Sequence, residues 1–300
     1  MLQRRTDLAL ESREIWERGA QKADRLQGVE SSQTTREGYP VTSVRITDPE
    51  GQQAMNKAIG TYITLDLPGL KRREEQAFPR AVRALAAELK NLLPEKPDSV
   101  LVVGLGNRAI TPDNIGPTAV GHTLVTRHLV EQVPEHFGHF RPVAALAAGV
   151  LANTGVESSE LARAVVARIQ PSCVIAIDAL ASRSLSRLCS TIQLTDTGIS
   201  PGSGVGNHRS ALNRDTLGIP VIALGVPTVV DAATLCADVL EEAGREDLEP
   251  ETLGSAGRGL MVTPRDIDQS VADLSKVIGY GINLALHDHL TLADIEMLLN

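Results

Sequence analysis

Residues 100–106 read VLVVGLG, a continuous apolar run that ends in a Gly-Leu-Gly triplet. Apolar runs without polar alternation are typical of strands that are buried on both faces of a parallel sheet. Three similar runs occupy residues 143–146 (VAAL), 174–177 (VIAI) and 221–224 (VIAL). Together these runs predict a mostly parallel sheet at the centre of the fold.

Segments with the apolar spacing of helices alternate with these strands. They comprise residues 75–93, 117–133, 158–169, 181–187, 230–243 and 266–286. Such alternation is typical of right-handed βαβ crossovers, which place helices on both faces of the sheet. We therefore expect an α/β fold, a three-layer sandwich with a mostly parallel sheet between two layers of helices.

The segment before the first apolar run is more polar. Residues 8–26 are rich in charge and are predicted to form a helix or a partly ordered arm, and residues 28–40 are predicted to form a loop. Residues 41–47 and 62–65 are strand candidates. No break in composition falls within residues 40–290, which indicates one domain.

Composition excludes several classes of protein. The chain has 300 residues, 42% of them hydrophobic and 2% aromatic, and a net charge of −8, which argues against nucleic-acid binding. Its three cysteines form no CxxC pair, which argues against a thiolate zinc site and favours a reducing compartment. Met1–Asp7 is not followed by an apolar signal core, and no stretch approaches the ~20 apolar residues of a membrane span. We expect a cytoplasmic protein.

Two aspartates follow the ends of predicted strands, where the reactive sites of parallel α/β sheets lie. Asp178 comes directly after one apolar run, and Asp113 lies in the loop VVGLGNRAITPDNIGP at 102–117. Two carboxylates at one sheet edge predict a dyad that shares a proton, in which the ionised member activates water and the protonated member polarises a carbonyl. The structural alternatives are a turn or helix cap for Asp113, and a buried Asp178 bonded to backbone amides.

The glycines of the same loop raise the alternative of a dinucleotide site. Gly104, Gly106 and Ala109 fit the pattern G-x-G-x-x-G/A. However, Pro112 and Pro117 interrupt the helix that should receive a pyrophosphate on its N-terminus, and no carboxylate ends the next strand to hold a ribose. A non-catalytic nucleotide- or ligand-binding protein remains a third hypothesis, behind the dyad and a metal centre.

A metal centre is the second hypothesis. His122 and His128 are six residues apart, so they do not share a helix face, and no H-E-x-x-H motif occurs. A metal-dependent peptidase with Asp113, Asp178 and a histidine as ligands stays open, whereas the dyad requires no metal or cofactor. The glycine-rich run ISPGSGVGN at 199–207 could bind an anion through backbone amides or form a turn.

Seven stretches spread over nearly the whole chain carry a family resemblance. They are RTDLALE at 5–11, VVGLGNRAITPDNIGP at 102–117, TRHL at 126–129, IAIDALASRS at 175–184, TGISPGSGVGN at 197–207, TLGIPVIALGVPTVVDA at 216–232 and LMVTPRDID at 260–268. In these motifs the chain resembles the germination proteases of endospore-forming bacteria.

The resemblance implies an atypical aspartic-type endopeptidase with a fold similar to that of hydrogenase maturation peptidases. Asp113 of the TPD motif and Asp178 of the IDAL motif are implied as its catalytic residues. The resemblance also implies a homotetramer that is made as an inactive zymogen in the forespore. Such a zymogen matures by self-cleavage and degrades small acid-soluble spore proteins early in germination, which implies a location in the forespore and the spore core.

The N-terminus matches the cleavage pattern that the resemblance implies. Family substrates are cut after an acidic residue that follows Thr or Ser and precedes a bulky apolar residue and a small one. Thr6, Asp7, Leu8 and Ala9 fit this order, which implies self-cleavage between Asp7 and Leu8 with Thr6 and Ala9 as recognition residues. The alternative is an ordinary helix start with Thr6 as the N-cap.

This cleavage would divide the chain into a propeptide, residues 1–7, and a single peptidase domain, residues 8–300. One departure from the family lies at residues 241–258, where relatives carry a longer insertion. We expect a surface loop there, which leaves the site itself unchanged.

Overall fold

The computed structural model describes residues 6–19, 26–95, 97–202, 209–244 and 259–299. Its strands are β1 (Val29–Arg36), β2 (Tyr39–Ile46), β3 (Gly60–Asp66), β4 (Val100–Leu105), β5 (Val143–Gly149), β6 (Cys173–Ser182), β7 (Thr191–Thr195), β8 (Val221–Asp231) and β9 (Met261–Val262). Its helices are α1 (Ala9–Gly19), α2 (Pro49–Met55), α3 (Pro68–Lys71), α4 (Ala77–Leu92), α5 (Ile115–Val120), α6 (Arg127–Gln132), α7 (Pro134–Phe137), α8 (Leu151–Thr154), α9 (Ser158–Ile169), α10 (Arg214–Leu217), α11 (Ala232–Glu242), α12 (Ile267–Leu286) and α13 (Leu292–Leu299). None of these helices is both long enough and apolar enough to cross a membrane.

The strands of the described residues form one sheet in the order β1-β2-β3-β7-β8-β6-β4-β5, with β9 paired to β8. Strands β5, β4, β6 and β8 are parallel, and they are the four strands that the apolar runs predict. Strands β1, β2, β3 and β7 join the sheet by antiparallel pairing. The expected α/β class is confirmed, and its antiparallel part is larger than the sequence indicates.

Helices cover both faces of the sheet because side chains of the central strands alternate between two apolar layers. Val102 and Ile175 pack into the layer formed with α4 and α12, whereas Val103 and Val174 pack into the layer formed with α9. Strands that are apolar on both sides require this double cover. Each fully buried side chain of this size contributes about 1.5–3 kcal/mol relative to its exposed state.

The predicted loop at residues 28–40 is wrong, since residues 29–36 form strand β1. This strand pairs antiparallel with β2 along its whole length. All of its residues after Val29 are exposed, so it is an edge strand with solvent on both faces. A strand of this kind has no buried face to select apolar residues, and its polar sequence therefore looks like a loop.

Two predicted helices also differ from the structure. The segment 117–133 is not one helix but two, α5 and α6, separated by residues 121–126. The predicted helix at 181–187 is wrong, because β6 continues to Ser182 through a bulge and keeps its pairing with β8. Residues 185–187 then form a short 3-10 helix.

Helix α5 packs directly on the ends of β4 and β6, and glycine permits this approach. A Cβ atom at Gly116 would lie 2.3 Å from the carbonyl oxygen of Leu105 and 2.5 Å from that of Ile177. Both oxygens belong to strand backbones, which cannot move aside without disturbing the sheet. The contact fixes α5, and the loop that precedes it, against the carboxyl ends of two parallel strands.

We expect Gly116→Ala to destabilise the fold by about 1–3 kcal/mol, the usual cost of overpacking. In a chain of this size the melting temperature should fall by roughly 2–12 °C, which differential scanning calorimetry would measure. Gly121→Ala is the matched control, because φ there is −65° and the new Cβ would meet Thr118 at 3.2 Å. Equal melting temperatures for the two variants would contradict the close packing of α5.

Candidate active site

Asp178 lies within β6, one residue beyond the last one that pairs with β4. It is opposite Gly225 of β8 and is 5% exposed. Its Oδ1 accepts a hydrogen bond from the Ala179 N–H at 2.9 Å. Burial raises the pKa of Asp178 well above its usual range, and the nearby carboxylate of Asp113 raises it further. The side chain therefore keeps its proton to a higher pH than an exposed aspartate does.

Asp113 is carried by the loop that follows β4. Gly106 opens this loop with φ at 115°, and a Cβ atom there would lie 2.0 Å from the Asp113 carbonyl oxygen. Residues 111–113 form a 3-10 helix, and Asp113 Oδ2 accepts from the Asn107 N–H at 2.8 Å. The carboxylate thus closes its own loop rather than capping α5. Burial raises the pKa of Asp113, although the Asn107 hydrogen bond and the charge of Arg209 oppose this.

The two aspartates line one cavity of about 480 Å³ at the carboxyl ends of β4, β6 and β8. The cavity is also lined by polar groups at Asp7, Ser158, Arg209, Thr228 and Thr263, and by apolar residues that include Leu105, Ile110, Val150, Leu180 and Met261. Each of the two carboxyl groups is thus partly shielded from water and lies near the other. Such a pair cannot easily hold two negative charges, so it retains a proton that a single exposed aspartate would lose.

No sequence motif singles out two further groups of this cavity. The positive charge of Arg209 opposes the rise in the pKa of both aspartates. Nothing in the sequence indicates a positive charge beside these two carboxyl groups. The hydroxyl of Thr228 is buried and has no hydrogen-bond partner among the described residues. Thr228 comes four residues after the apolar run at 221–224 and lies within β8, whereas Asp178 comes directly after the run at 174–177. The position of Thr228 shortly after an apolar run is the signal that the sequence offers for it.

The N-terminal segment lies against the end of β6. The Asp7 N–H donates to the Ala181 carbonyl at 2.9 Å, and the Ala181 N–H donates to Asp7 Oδ2 at 2.9 Å. Leu8 and Ala9 are fully buried. The Asp7 side chain therefore enters the cavity that holds Asp113 and Asp178, as the match to a cleavage pattern would require.

Thr6 is not the N-cap of α1, which was the alternative to a cleavage site. Helix α1 begins at Ala9, and Thr6 Oγ1 accepts from the Leu8 N–H at 3.0 Å while its hydroxyl donates to Glu11. Glu11 is itself buried, and it accepts from the Arg183 N–H at 2.6 Å and the Ser184 N–H at 3.0 Å. These bonds anchor the start of α1 to the residues that follow β6.

The carbonyl group of Asp7 has two side-chain donors. Lys57 Nζ lies 3.0 Å and Gln193 Nε2 lies 3.2 Å from the Asp7 carbonyl oxygen. Gln193 also accepts from the Ala9 N–H at 2.7 Å, so it contacts the chain on both sides of the Asp7–Leu8 bond. Gln193 belongs to β7, a strand that the sequence analysis does not predict because all five of its residues are buried although three are polar.

A metal centre gains no support from the geometry. Within the described ranges, no three His, Cys, Asp or Glu side chains form a group that could hold a metal ion. His139, His287 and His289 instead pack around the ring of Phe140. Three features of the sequence analysis lie wholly or mainly outside the described residues: Met1–Arg5, residues 203–208 of the glycine-rich run, and residues 245–258.

Comparison with known proteins gives a consistent result. The sequence profile of the germination protease family matches residues 7–243 and 238–298. A germination protease of Caldanaerobacter subterraneus subsp. tengcongensis is 44% identical over 99% of this chain and 98% of its own length. One of Clostridium perfringens is 44% identical over 99% of both chains, and one of Bacillus cereus is 38% identical over 94% of this chain and 93% of its own.

Among solved structures, the NiFe hydrogenase maturation protease HycI of Thermococcus kodakarensis KOD1 is similar over 65% of this chain and 98% of its own, with 15% identity and a TM-score of 0.37. The sequence matches alone are decisive, because they extend over nearly the whole chain at identities far above 30%. The chain belongs to the germination protease family and is a protease.

Proposed function

We propose that the chain is an endopeptidase of spore germination that uses Asp113 and Asp178 as a proton-sharing dyad and activates itself by cutting between Asp7 and Leu8. One observation carries the proposal. The buried carboxyl group of Asp178, the half-buried one of Asp113 and Asp7 line the same cavity, and hydrogen bonds hold the peptide on both sides of the Asp7–Leu8 bond.

The chemistry follows from the shared proton. The ionised aspartate takes a proton from a water molecule as its oxygen adds to the scissile carbonyl carbon. The protonated aspartate donates a hydrogen bond to the reacting group, and its proton is available to the leaving nitrogen. Because the two groups titrate as a coupled pair, the roles belong to the pair rather than to one fixed residue.

Self-cleavage at this position accounts for the N-terminal sequence. Thr6, Asp7, Leu8 and Ala9 follow the order implied for family substrates, which is Thr or Ser, then an acidic, a bulky apolar and a small residue. The burial of Leu8 and Ala9 resembles the way a substrate would fill apolar subsites after the cut. Residues 1–7 would then be a propeptide, of which Asp7 occupies the substrate site of the zymogen.

The family relationship supports the biological setting of the proposal. The relatives are named germination proteases, so we infer that this chain acts on proteins of the spore, with small acid-soluble spore proteins as the substrates. The site of action would be the spore core, with synthesis in the forespore. A homotetramer is part of the same proposal, and light scattering of the purified chain would measure its mass.

The dyad predicts that both aspartates are needed for self-cleavage. Purified wild-type chain held at mildly acidic pH should lose residues 1–7, measured as intact mass over time. Asp113→Asn and Asp178→Asn should each slow this loss by at least about 10³-fold, since each removes a proton acceptor or donor of the unit.

Two controls accompany this experiment. Asp288→Asn should process at the wild-type rate, because Asp288 is an exposed aspartate that pairs with Lys90 away from the cavity. A metal chelator should leave the wild-type rate unchanged. Processing of the two dyad variants at the wild-type rate would remove the aspartates from the mechanism, and loss of activity on chelation would restore the metal hypothesis.

Replacing the buried carboxyl group of Asp178 by a neutral amide should increase the free energy of unfolding. Burial raises the pKa of Asp178 in the folded chain. The folded state then binds its proton more tightly than the unfolded state, so the free energy of unfolding falls as pH rises from about 3.9 towards the folded pKa. Asp178→Asn should remove this loss and raise the melting temperature, by about 2–4 °C for each kcal/mol recovered.

Calorimetry at pH 7.5 and at pH 4 would test this expectation. The gain for Asp178→Asn should be larger at the higher pH, because there the unfolded wild-type chain ionises this carboxyl group more easily than the folded chain does. Asp288→Asn is the matched control of opposite sign, because the hydrogen bond from Lys90 lowers the pKa of Asp288 and its ionised form already favours the fold. A lower melting temperature for Asp178→Asn at both pH values would show that its burial carries no cost.

A further inference from the structure

The donors on the Asp7 carbonyl come from two distant parts of the chain. Lys57 lies between α2 and β3, and its ammonium group donates to the carbonyl oxygens of Thr6, at 3.3 Å, and Asp7, at 3.0 Å. Gln193, in β7, donates to the same Asp7 oxygen at 3.2 Å. A carbonyl oxygen has two lone pairs, and here both have a donor.

The ammonium group of Lys57 is partly buried and contacts backbone carbonyl oxygens. Burial around the ammonium group lowers the pKa of Lys57, while the carboxylates of Asp7 and Glu11 oppose this change. No salt bridge within 4 Å is found for Lys57 among the described residues. A cation that is partly withdrawn from water, and directed at backbone carbonyl oxygens, interacts more strongly with a developing negative charge than an exposed lysine would.

Gln193 holds the peptide on both sides of the Asp7–Leu8 bond. Its Nε2 donates to the Asp7 oxygen, and its Oε1 accepts from the Ala9 N–H at 2.7 Å. Gln193 is buried in the middle of β7, so its amide cannot turn freely away from these partners. The two bonds fix the plane and the direction of the peptide that would be cut.

The sheet register brings Gln193 and the dyad to one row. Gly225 of β8 is the partner of both Asp178 on β6 and Gln193 on β7. Residues directly opposite each other on neighbouring strands share a face of the sheet. Since strands lie about 4.8 Å apart, the Cα atoms of Asp178 and Gln193 are separated by roughly 10 Å. The side chain of Leu180 covers Gly225, since a Cβ atom there would meet its Cδ1 at 2.4 Å. Lys57 and Gln193 line a cavity next to that of the aspartates, and Asp7 and Leu180 line both.

We propose that Lys57 and Gln193 bind the carbonyl oxygen of Asp7 as the oxyanion site of the self-cleavage reaction. The inference rests on the proposed function and assigns two catalytic residues to it besides the aspartates. Donors of this kind stabilise the transition state because they are already oriented where negative charge develops. Both distances, 3.0 and 3.2 Å to the ground-state oxygen, can shorten as that charge forms.

The proposal also settles where the protons go. Water oxygen bonds to the Asp7 carbonyl carbon, and the ionised aspartate takes one water proton while the oxyanion rests on Lys57 and Gln193. The bond to the Leu8 nitrogen then breaks, and the protonated aspartate gives its proton to that nitrogen. Asp7 ends with a free carboxyl group, Leu8 with a free amine, and the dyad still holds one proton.

The experiment measures the first-order rate of loss of residues 1–7 in the full-length chain. Lys57→Met keeps the length of the side chain and removes its charge, and it should slow self-cleavage by about 10²–10³-fold, the usual cost of one oxyanion donor. Lys57→Arg retains a cationic donor and should stay within about tenfold of the wild type. Lys71→Met is the matched control, because Lys71 donates to the Leu188 carbonyl outside the site, and it should not change the rate.

A purely anchoring role for Lys57 needs a separate readout. Hydrogen exchange at the Ala9 amide reports whether the segment stays bound to Gln193. Slow cleavage with unchanged exchange at Ala9 supports the oxyanion role. Slow cleavage with equally faster exchange would show that Lys57 only holds the segment, and that result overturns the inference, as does an unchanged rate in Lys57→Met.

The two levels of the proposal fail differently. If the wild-type chain never loses residues 1–7, the proposed self-cleavage fails, and the oxyanion site fails with it. If the wild type is cleaved and the Asp113→Asn variant is not, but Lys57→Met is cleaved at the wild-type rate, the dyad stands and the oxyanion assignment alone is wrong.

Discussion

The burial of one carboxyl group, that of Asp178, is the constraint on which the site depends. A carboxylate inside a sheet loses its hydration, and in the part of the chain that the structure describes it gains the Ala179 N–H and the more distant charge of Arg209 in return. The group therefore keeps its proton to a higher pH than an exposed aspartate. A fold with continuous apolar strands on both sides of Asp178 can accommodate this cost, and perturbed groups of this kind are typical of functional sites.

Backbone contacts help to position the second carboxylate and the N-terminal segment around that group. Glycine at positions 106 and 116 lets the Asp113 loop and α5 press against strand ends. The N-terminal segment pairs with Ala181 through both the backbone and the side chain of Asp7. Hydrogen bonds that start from strand backbones define positions to within a fraction of an ångström, which a reaction that needs aligned groups requires.

Local sequence predicted the parallel half of the fold and missed parts that depend on long-range pairing. The continuous apolar runs predict the four parallel strands, and Asp178 is a candidate because it directly follows the run at 174–177. Asp113 is a candidate because its loop follows another of these runs, and the family motif supports it where a Thr-Pro-Asp turn alone has many structural uses. Strands β1 and β7 were missed because their sequences are polar: one is exposed on both faces, and the other buries threonines and a glutamine.

Lys57 and Gln193 show why the rest of the site cannot be found from motifs. Gln193 is 184 residues from Ala9, to which it bonds, and Lys57 is 50 residues from Asp7. Neither lies at the end of a predicted strand, and a lone lysine or glutamine has no diagnostic spacing. Lys57 meets Gln193 at the Asp7 carbonyl oxygen from the segment before β3. Gln193 is brought near Asp178 by the register of the sheet, in which Gly225 has Asp178 on one side and Gln193 on the other. A shift of one residue in either pairing would turn one of these side chains to the opposite face, so the site is a property of strand pairing as much as of its residues.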